Sequence, residues 1–202
     1  MMRDSILTFP TQFAWEPKVE NADALKKYRK FIVAGMGGSG LAGNLIKLFR
    51  PELDLIAHRN YGLPRIGKGA LRNRLLIASS HSGNTEEVID ALHTARADHM
   101  PVAVLASGGK LMRMAEEEGL PYVKIPNTAI QPRMALGLGM RGILKIMGDE
   151  RLLKKTGKLA STLSPQKLEG SGKELAARMK NSAPLIYASS ANWIIAYIWK
   201  IV

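Results

Sequence analysis

"SSHSGNTEEV", Ser79–Val88, is the stretch on which the reading of this chain turns. It follows a continuous apolar run, Leu75–Ser79, and leads into Thr85–Ala97, where Val88, Leu92 and Ala95 recur on one helical face. A strand therefore runs into a polar turn and out into a helix. Ser80, Ser82 and Thr85 place hydroxyls around a Gly-Asn turn, and Thr85 sits where the helix begins. Glu86 and Glu87 fall in the first helical turn, where acidic side chains suit the helix dipole. A helix cap needs only one hydroxyl. The surplus, with the free backbone N–H groups of such a turn, suits the clamping of a phosphate without any lysine.

The same alternation extends in both directions. β-rich runs occur at Phe31–Ala34, Leu53–Ala57, Leu75–Ser79, Val102–Ala106 and Tyr122–Ile125, and helical stretches at Leu41–Phe49, Thr85–Ala97 and Lys110–Glu118 fill most of the gaps. Continuous apolar strands alternating with helices predict an α/β fold with a parallel sheet covered on both faces. Pro51, Pro64, Pro101, Pro121 and Pro126 stand at element boundaries. After the first strand comes "GMGGSG", Gly35–Gly40, which matches the G-x-G-x-x-G dinucleotide fingerprint. The end of the second strand offers His58 and Arg59, groups that suit a 2′-phosphate where an acid would hold a ribose. A dinucleotide domain has no use for a second phosphate cradle on strand three, so the hydroxyl loop turns the reading away from NADP.

Towards the ends the pattern changes. The first thirty residues read as a polar lead-in with a short helix around Asn21–Tyr28, capped by Asn21 or Asp23. Beyond the fifth strand, "PNTAIQPRMALG" is an extended loop entering a helix over Met134–Met147. Leu152–Gly172 is polar and reads as a linker, with a helix at about Gly172–Lys180 and a plausible helix start at Ser164-Pro165. "PLIYASSANWIIAYIWKIV" then repeats the layout of the first βα unit: a strand, Leu185–Ala188, a small-residue turn, and a helix, Trp193–Lys200. That helix is apolar nearly all round and needs a cover, from the first domain, a partner chain or further sequence.

Composition narrows the class. The 202 residues carry a net charge of +12 but no cysteine, which excludes disulfides, cysteine nucleophiles and thiolate metal sites. The basic residues are scattered in short clusters without stacking aromatics, so nucleic acid is not the expected partner. The beginning of the chain lacks a signal-peptide layout and no apolar run reaches the ~18 residues of a membrane span. A cytoplasmic location with no membrane partner is expected. No His/Asp/Glu cluster has metal-ligand spacing, and no metal or other cofactor is expected. His58, His93 and His99 read as surface residues, His81 as lining of the hydroxyl loop, and Met134, Met140 and Met147 as core.

"GMGGSGLAG" followed by "SHSGNTEEV" resembles the sugar isomerase (SIS) domain, a flavodoxin-like αβα sandwich with a five-stranded parallel sheet. "QPRMALG", Gln131–Gly137, is similar to the Pro-Arg segment of the bifunctional phosphoglucose/phosphomannose isomerases. The resemblance runs from about residue 20 to the end and implies a SIS domain over 1–150, a helical linker over 151–182 and, over 183–202, the first βα unit of a second SIS domain. It implies that Ser80, Ser82 and Thr85 bind the phosphate of a sugar phosphate, that Gly38 and Ser39 line the sugar, and that Arg133 is catalytic, stabilising negative charge on an enediolate. The activity it implies is interconversion of glucose 6-phosphate or mannose 6-phosphate with fructose 6-phosphate in a homodimer. In that family a glutamate base, a histidine from the partner subunit and a lysine lie further along than "WKIV". The chain is therefore expected to bind sugar phosphate and to be inactive or weakly active by itself, a non-catalytic phosphosugar-binding module being the alternative.

Overall fold

Alternation along each strand sorts its side chains onto two faces, and two cores result. The computed structural model describes residues 2–128 and 130–201; Val202, the last residue of the expected second-domain start, lies outside them. Five strands, β1 (Lys30–Ala34), β2 (Asp54–His58), β3 (Leu75–Ser80), β4 (Val102–Ala106) and β5 (Tyr122–Lys124), form one sheet in the order β2-β1-β3-β4-β5. Every pairing is parallel; Val33 of β1 stands opposite both Ala57 of β2 and Ile77 of β3. Phe31, Val33, Leu75, Ile77 and Leu105 point into one core, and Ile32, Leu76, Val102 and Val104 into the other. The predicted α/β class and five-stranded parallel sheet are therefore what the chain forms.

The helices follow from these faces. They are α1 (Met2–Leu7), α2 (Leu41–Phe49), α3 (Lys68–Arg72), α4 (Glu86–Ala97), α5 (Gly109–Glu117), α6 (Leu136–Met147), α7 (Glu150–Gly157), α8 (Leu159–Thr162), α9 (Pro165–Met179) and α10 (Trp193–Ile201). Ile46 of α2, Leu138, Ile143 and Leu144 of α6 and Leu152 and Leu153 of α7 fill the first core. Val88, Ala91, Leu92 and Ala95 of α4 and Leu111, Met112 and Ala115 of α5 fill the second. Each sheet face is thus sealed by helices, as continuous apolar strands require. No helix among the described residues is long and apolar enough to cross a membrane.

Three local expectations are corrected. The helix around Asn21–Tyr28 reduces to a 3-10 turn, Ala22–Ala24, because Asn21 adopts a left-handed φ of 52° and spends its amide on Leu120 O at 3.0 Å. The stretch expected as a linker over Leu152–Gly172 contains α7, α8 and the first half of α9, and Leu152 and Leu153 are core residues. The helix start at Ser164-Pro165 is as expected. Leu185–Ala188 is not a strand: no neighbour among the described residues pairs with it, and Leu185 and Tyr187 are exposed. α10 follows as expected, lays Ile194 against the rest of the protein and packs beside α2, while Trp193, Ile195 and Trp199 stay exposed.

The lead-in is tied down by buried polar groups. Arg141 of α6 is 1% exposed, and its guanidinium donates to Trp15 O, to Leu153 O at 3.0 Å and to Glu16 Oε1 at 2.8 Å. One side chain thus holds the lead-in, α6 and α7 together. Arg141→Ala takes the guanidinium donor from Trp15 O and the ion-pair partner from Glu16, and opens a cavity, at an expected cost of about 2–4 kcal/mol. The check is the urea midpoint; a loss below about 1 kcal/mol would contradict this role.

Candidate functional site

The crevice follows from strand order. The chain leaves β1 towards β2 on one side and returns as β3 on the other, so the loops after β1 and β3 diverge at the carboxyl ends of neighbouring strands. Ligands of open α/β sheets bind at such a switch point. Here the two loops are Gly35–Gly40 and His81–Thr85.

The loop after β3 is built on Ser80, which is buried. Its Oγ accepts from Gly83 N at 3.1 Å and pairs with Thr85 Oγ1 at 2.7 Å. Thr85 stands at the N-cap of α4, yet its hydroxyl is turned to Ser80 and makes no cap bond to the helix. Ser82 is exposed, with Oγ accepting from Asn84 N at 3.3 Å. The β4–α5 turn braces the loop from behind: Ser107 N and Oγ donate to His81 O at 3.0 and 2.5 Å, and Leu111 N to Gly83 O at 2.9 Å. Gly83 has φ of 71°, and a Cβ there would lie 1.7 Å from Gly108 O. Only glycine allows both the left-handed turn and that approach.

The loop after β1 meets it directly. Gly37–Gly40 forms a 3-10 turn between β1 and α2, and Ser39 Oγ accepts from His81 N at 3.0 Å. A Cβ on Gly38 would lie 2.6 Å from the backbone of Pro132 and Arg133, so its missing side chain is what lets the 3-10 turn Pro132–Met134 close on the glycine turn. That second turn is fixed by Gln12, which donates to Met134 O at 2.7 Å and accepts from Gly137 N at 2.9 Å and Leu138 N at 3.3 Å. Gln12 thereby caps the start of α6 from the lead-in.

Gly38, Ser39, Ser80, Ser82 and Thr85 are thus gathered at one end of the sheet. Arg133 reaches the group through its backbone. Its side chain lines a different space, an apolar groove of about 720 Å³ that Ile6, Leu7, Phe9, Leu163 and Leu168 also line, and its buried Nε has no hydrogen-bond partner among the described residues. Of the histidines, His93 and His99 are exposed, and His58 Nε2 lies 3.4 Å from Tyr61 O. Gln12, Ser107 and Arg59 escaped the sequence reading as parts of the site. Gln12 acts across more than a hundred residues, which no local pattern signals, and the sequence around Arg59 suits a 2′-phosphate without marking its contact with the glycine turn.

His81 is half-buried, and its Nδ1 has no hydrogen-bond partner among the described residues. Desolvation holds its pKa below the ordinary 6.5, because burial disfavours the charged ring. In the unfolded chain the ring takes up a proton more readily, so its contribution to stability is present above pH ~6.5 and is lost as pH falls below it. Thermal stability is expected to decline between about pH 7 and 5, and more steeply in the wild type than in His81→Asn. Equal slopes in a pH series of melting curves would remove His81 as the cause.

The fold and the two facing loops define the chain as a SIS-type α/β domain. The C-terminal domain of glucosamine-fructose-6-phosphate aminotransferase from Francisella tularensis superposes with a TM-score of 0.68 at 14% identity, over 96% of this chain and 64% of that one, a likeness of fold. In sequence, the bifunctional phosphoglucose/phosphomannose isomerase of Caldicellulosiruptor bescii is 32% identical over 188 residues, 85% of this chain and 54% of the relative. Its counterpart in Aquifex aeolicus is 29% identical over 199 residues, 95% of this chain and 59% of the relative. The chain belongs to the bifunctional phosphoglucose/phosphomannose isomerase family. It spans between half and three-fifths of the length of these two relatives. No protein-family model matches it.

Proposed function

We propose that this chain is the sugar-phosphate-binding part of an aldose–ketose isomerase that interconverts glucose 6-phosphate or mannose 6-phosphate with fructose 6-phosphate. The observation that carries the reading is the meeting of the hydroxyl loop and the glycine turn, Ser39 Oγ to His81 N, at the β1/β3 switch point. Ser82, exposed, and Thr85, with the uncapped start of α4 behind it, receive the phosphate; Ser80 shapes the loop by holding Gly83 and Thr85. Gly38 and Ser39 border the sugar.

The reaction moves a proton between C2 and C1 of the open-chain sugar through a cis-enediol, and needs a base and a stabiliser of the charge that develops on oxygen. Arg133 is the stabiliser in this reading, supported by the abutment of its 3-10 turn on Gly38; to act there its side chain must turn from the apolar groove towards the switch point. In this reading the described residues supply binding and charge stabilisation and no proton-transfer base. On the same reading 1–150 is the sugar-phosphate domain, 151–182 a helical connection whose first helix, α7, packs into that domain's core, and 183–202 the beginning of a second domain. The protein works in the cytoplasm as a homodimer, with the open side of α10 contributing to contact.

A second reading, a phosphosugar-binding module without turnover, is favoured by the state of the nearest carboxylates. Glu86 and Glu87 stand in the first turn of α4, where Glu86 accepts from Tyr61 OH at 3.4 Å, and neither is poised as a base. Calorimetric titration with fructose 6-phosphate, beside a coupled isomerase assay, tests both. Ser82→Ala is expected to weaken binding by about ten-fold or more, the loss of one hydrogen bond to a charged group, with its melting temperature unchanged. Binding without turnover favours the module. A chain that ignores fructose 6-phosphate and binds NADPH would overturn the proposal.

A further inference from the structure

Arg59 is a group the functional reading leaves without a task. It follows β2 directly, and its guanidinium lies against the glycine turn: a Cβ on Gly40 would sit 2.9 Å from Arg59 Nε. Trp193 and Tyr197 lie four residues apart on α10 and so share one helix face. They hold the Arg59 Cζ over their rings, at 5.8 and 5.1 Å from the centroids. Nε and Nη2 are shut off from solvent and have no hydrogen-bond partner among the described residues. This guanidinium is held by two aromatic faces and a glycine, and its partner is the face of the rings. Gly40 adjoins Ser39, whose Oγ takes the N–H of His81. A continuous run of contacts therefore leads from α10 through Arg59 and the glycine turn to the hydroxyl loop.

We propose that Arg59 is a positioning residue of the ligand site, the strut through which α10 sets the glycine turn. This rests on the sugar-phosphate reading above. Gly40, rather than Ser39, takes the contact with Arg59, so Arg59 acts on the ligand through the turn. The same contact fixes what can replace it: lysine keeps the charge and loses the flat face that two rings and a glycine enclose. It also gives α10 a function in its own right, because whatever settles on that helix bears on the turn through a single side chain.

The full chain with Trp15→Phe and Trp199→Phe leaves Trp193 as the only indole, a reporter placed on the strut itself. Fructose 6-phosphate is titrated, with binding measured by calorimetry and the strut by Trp193 emission. Binding is expected to change the emission of the reporter chain. Arg59→Met is expected to weaken binding by about 3- to 30-fold and to silence the emission change, with Arg59→Lys in between. In a chain with native Arg59, Trp193→Leu with Tyr197→Leu should weaken binding to a similar degree, which keeps the test alive if Arg59→Met does not fold. Unchanged affinity in both the Arg59→Met chain and the aromatic double variant overturns the strut alone. A reporter chain that binds no fructose 6-phosphate overturns the functional reading, and the strut's task with it.

Discussion

The place of β1 between β2 and β3 is the constraint from which the rest of the site follows. A strand paired on both sides in parallel can send its loop to only one end of the sheet, and the return of the chain as β3 puts a second loop beside it. The full burial of β3 makes that position stiff: all six of its residues are enclosed, down to Ser79 and Ser80. The hydroxyls that begin at Ser80 are therefore presented from a rigid support. Their spacing is set again by the β4–α5 turn, which approaches so closely that Gly83 cannot carry a side chain.

The glycines of Gly35–Gly40 have a different task from the one their fingerprint suggests. In a dinucleotide fold they let a pyrophosphate approach the backbone. Here Gly38 admits another piece of the protein, the turn Pro132–Met134, and Gly40 admits the Arg59 guanidinium. The turn is packed from several directions by its own chain, and Ser39, the residue the fingerprint ignores, makes the contact with the hydroxyl loop. Gln12 belongs to the same system at one remove. It holds the start of α6, and α6 holds the backbone of Arg133 against Gly38.

Much of this was legible in the sequence. The strands came from apolar runs, the facing helices from 3.6-residue periodicity, and the loop residues from clustered hydroxyls and glycines. What the sequence hid depends on distant partners. Asn21 looked like a helix cap, but its amide goes to Leu120, ninety-nine positions away. Leu152 and Leu153 lie in a segment too polar to suggest core, and only the packing of α7 against α6 and the lead-in buries them. Leu185–Ala188 has strand composition, but composition cannot supply the neighbour that a ladder needs. Arg133 was legible as a residue of interest, yet the side chain's place, lining the apolar groove, depends on how α1 and α9 enclose that space.

In the proposed function, the ligand binds at the β1/β3 switch point, and its binding depends on the hydroxyl loop. Backbone amide NMR of the full chain during titration with fructose 6-phosphate tests it most directly, because every loop residue reports for itself. The largest shifts are expected on Gly37–Gly40 and on Ser82–Glu87, with smaller ones carried to Arg133. Shifts that gather instead on Ile6, Leu7 and Leu168 would place the ligand in the apolar groove and contradict the proposal.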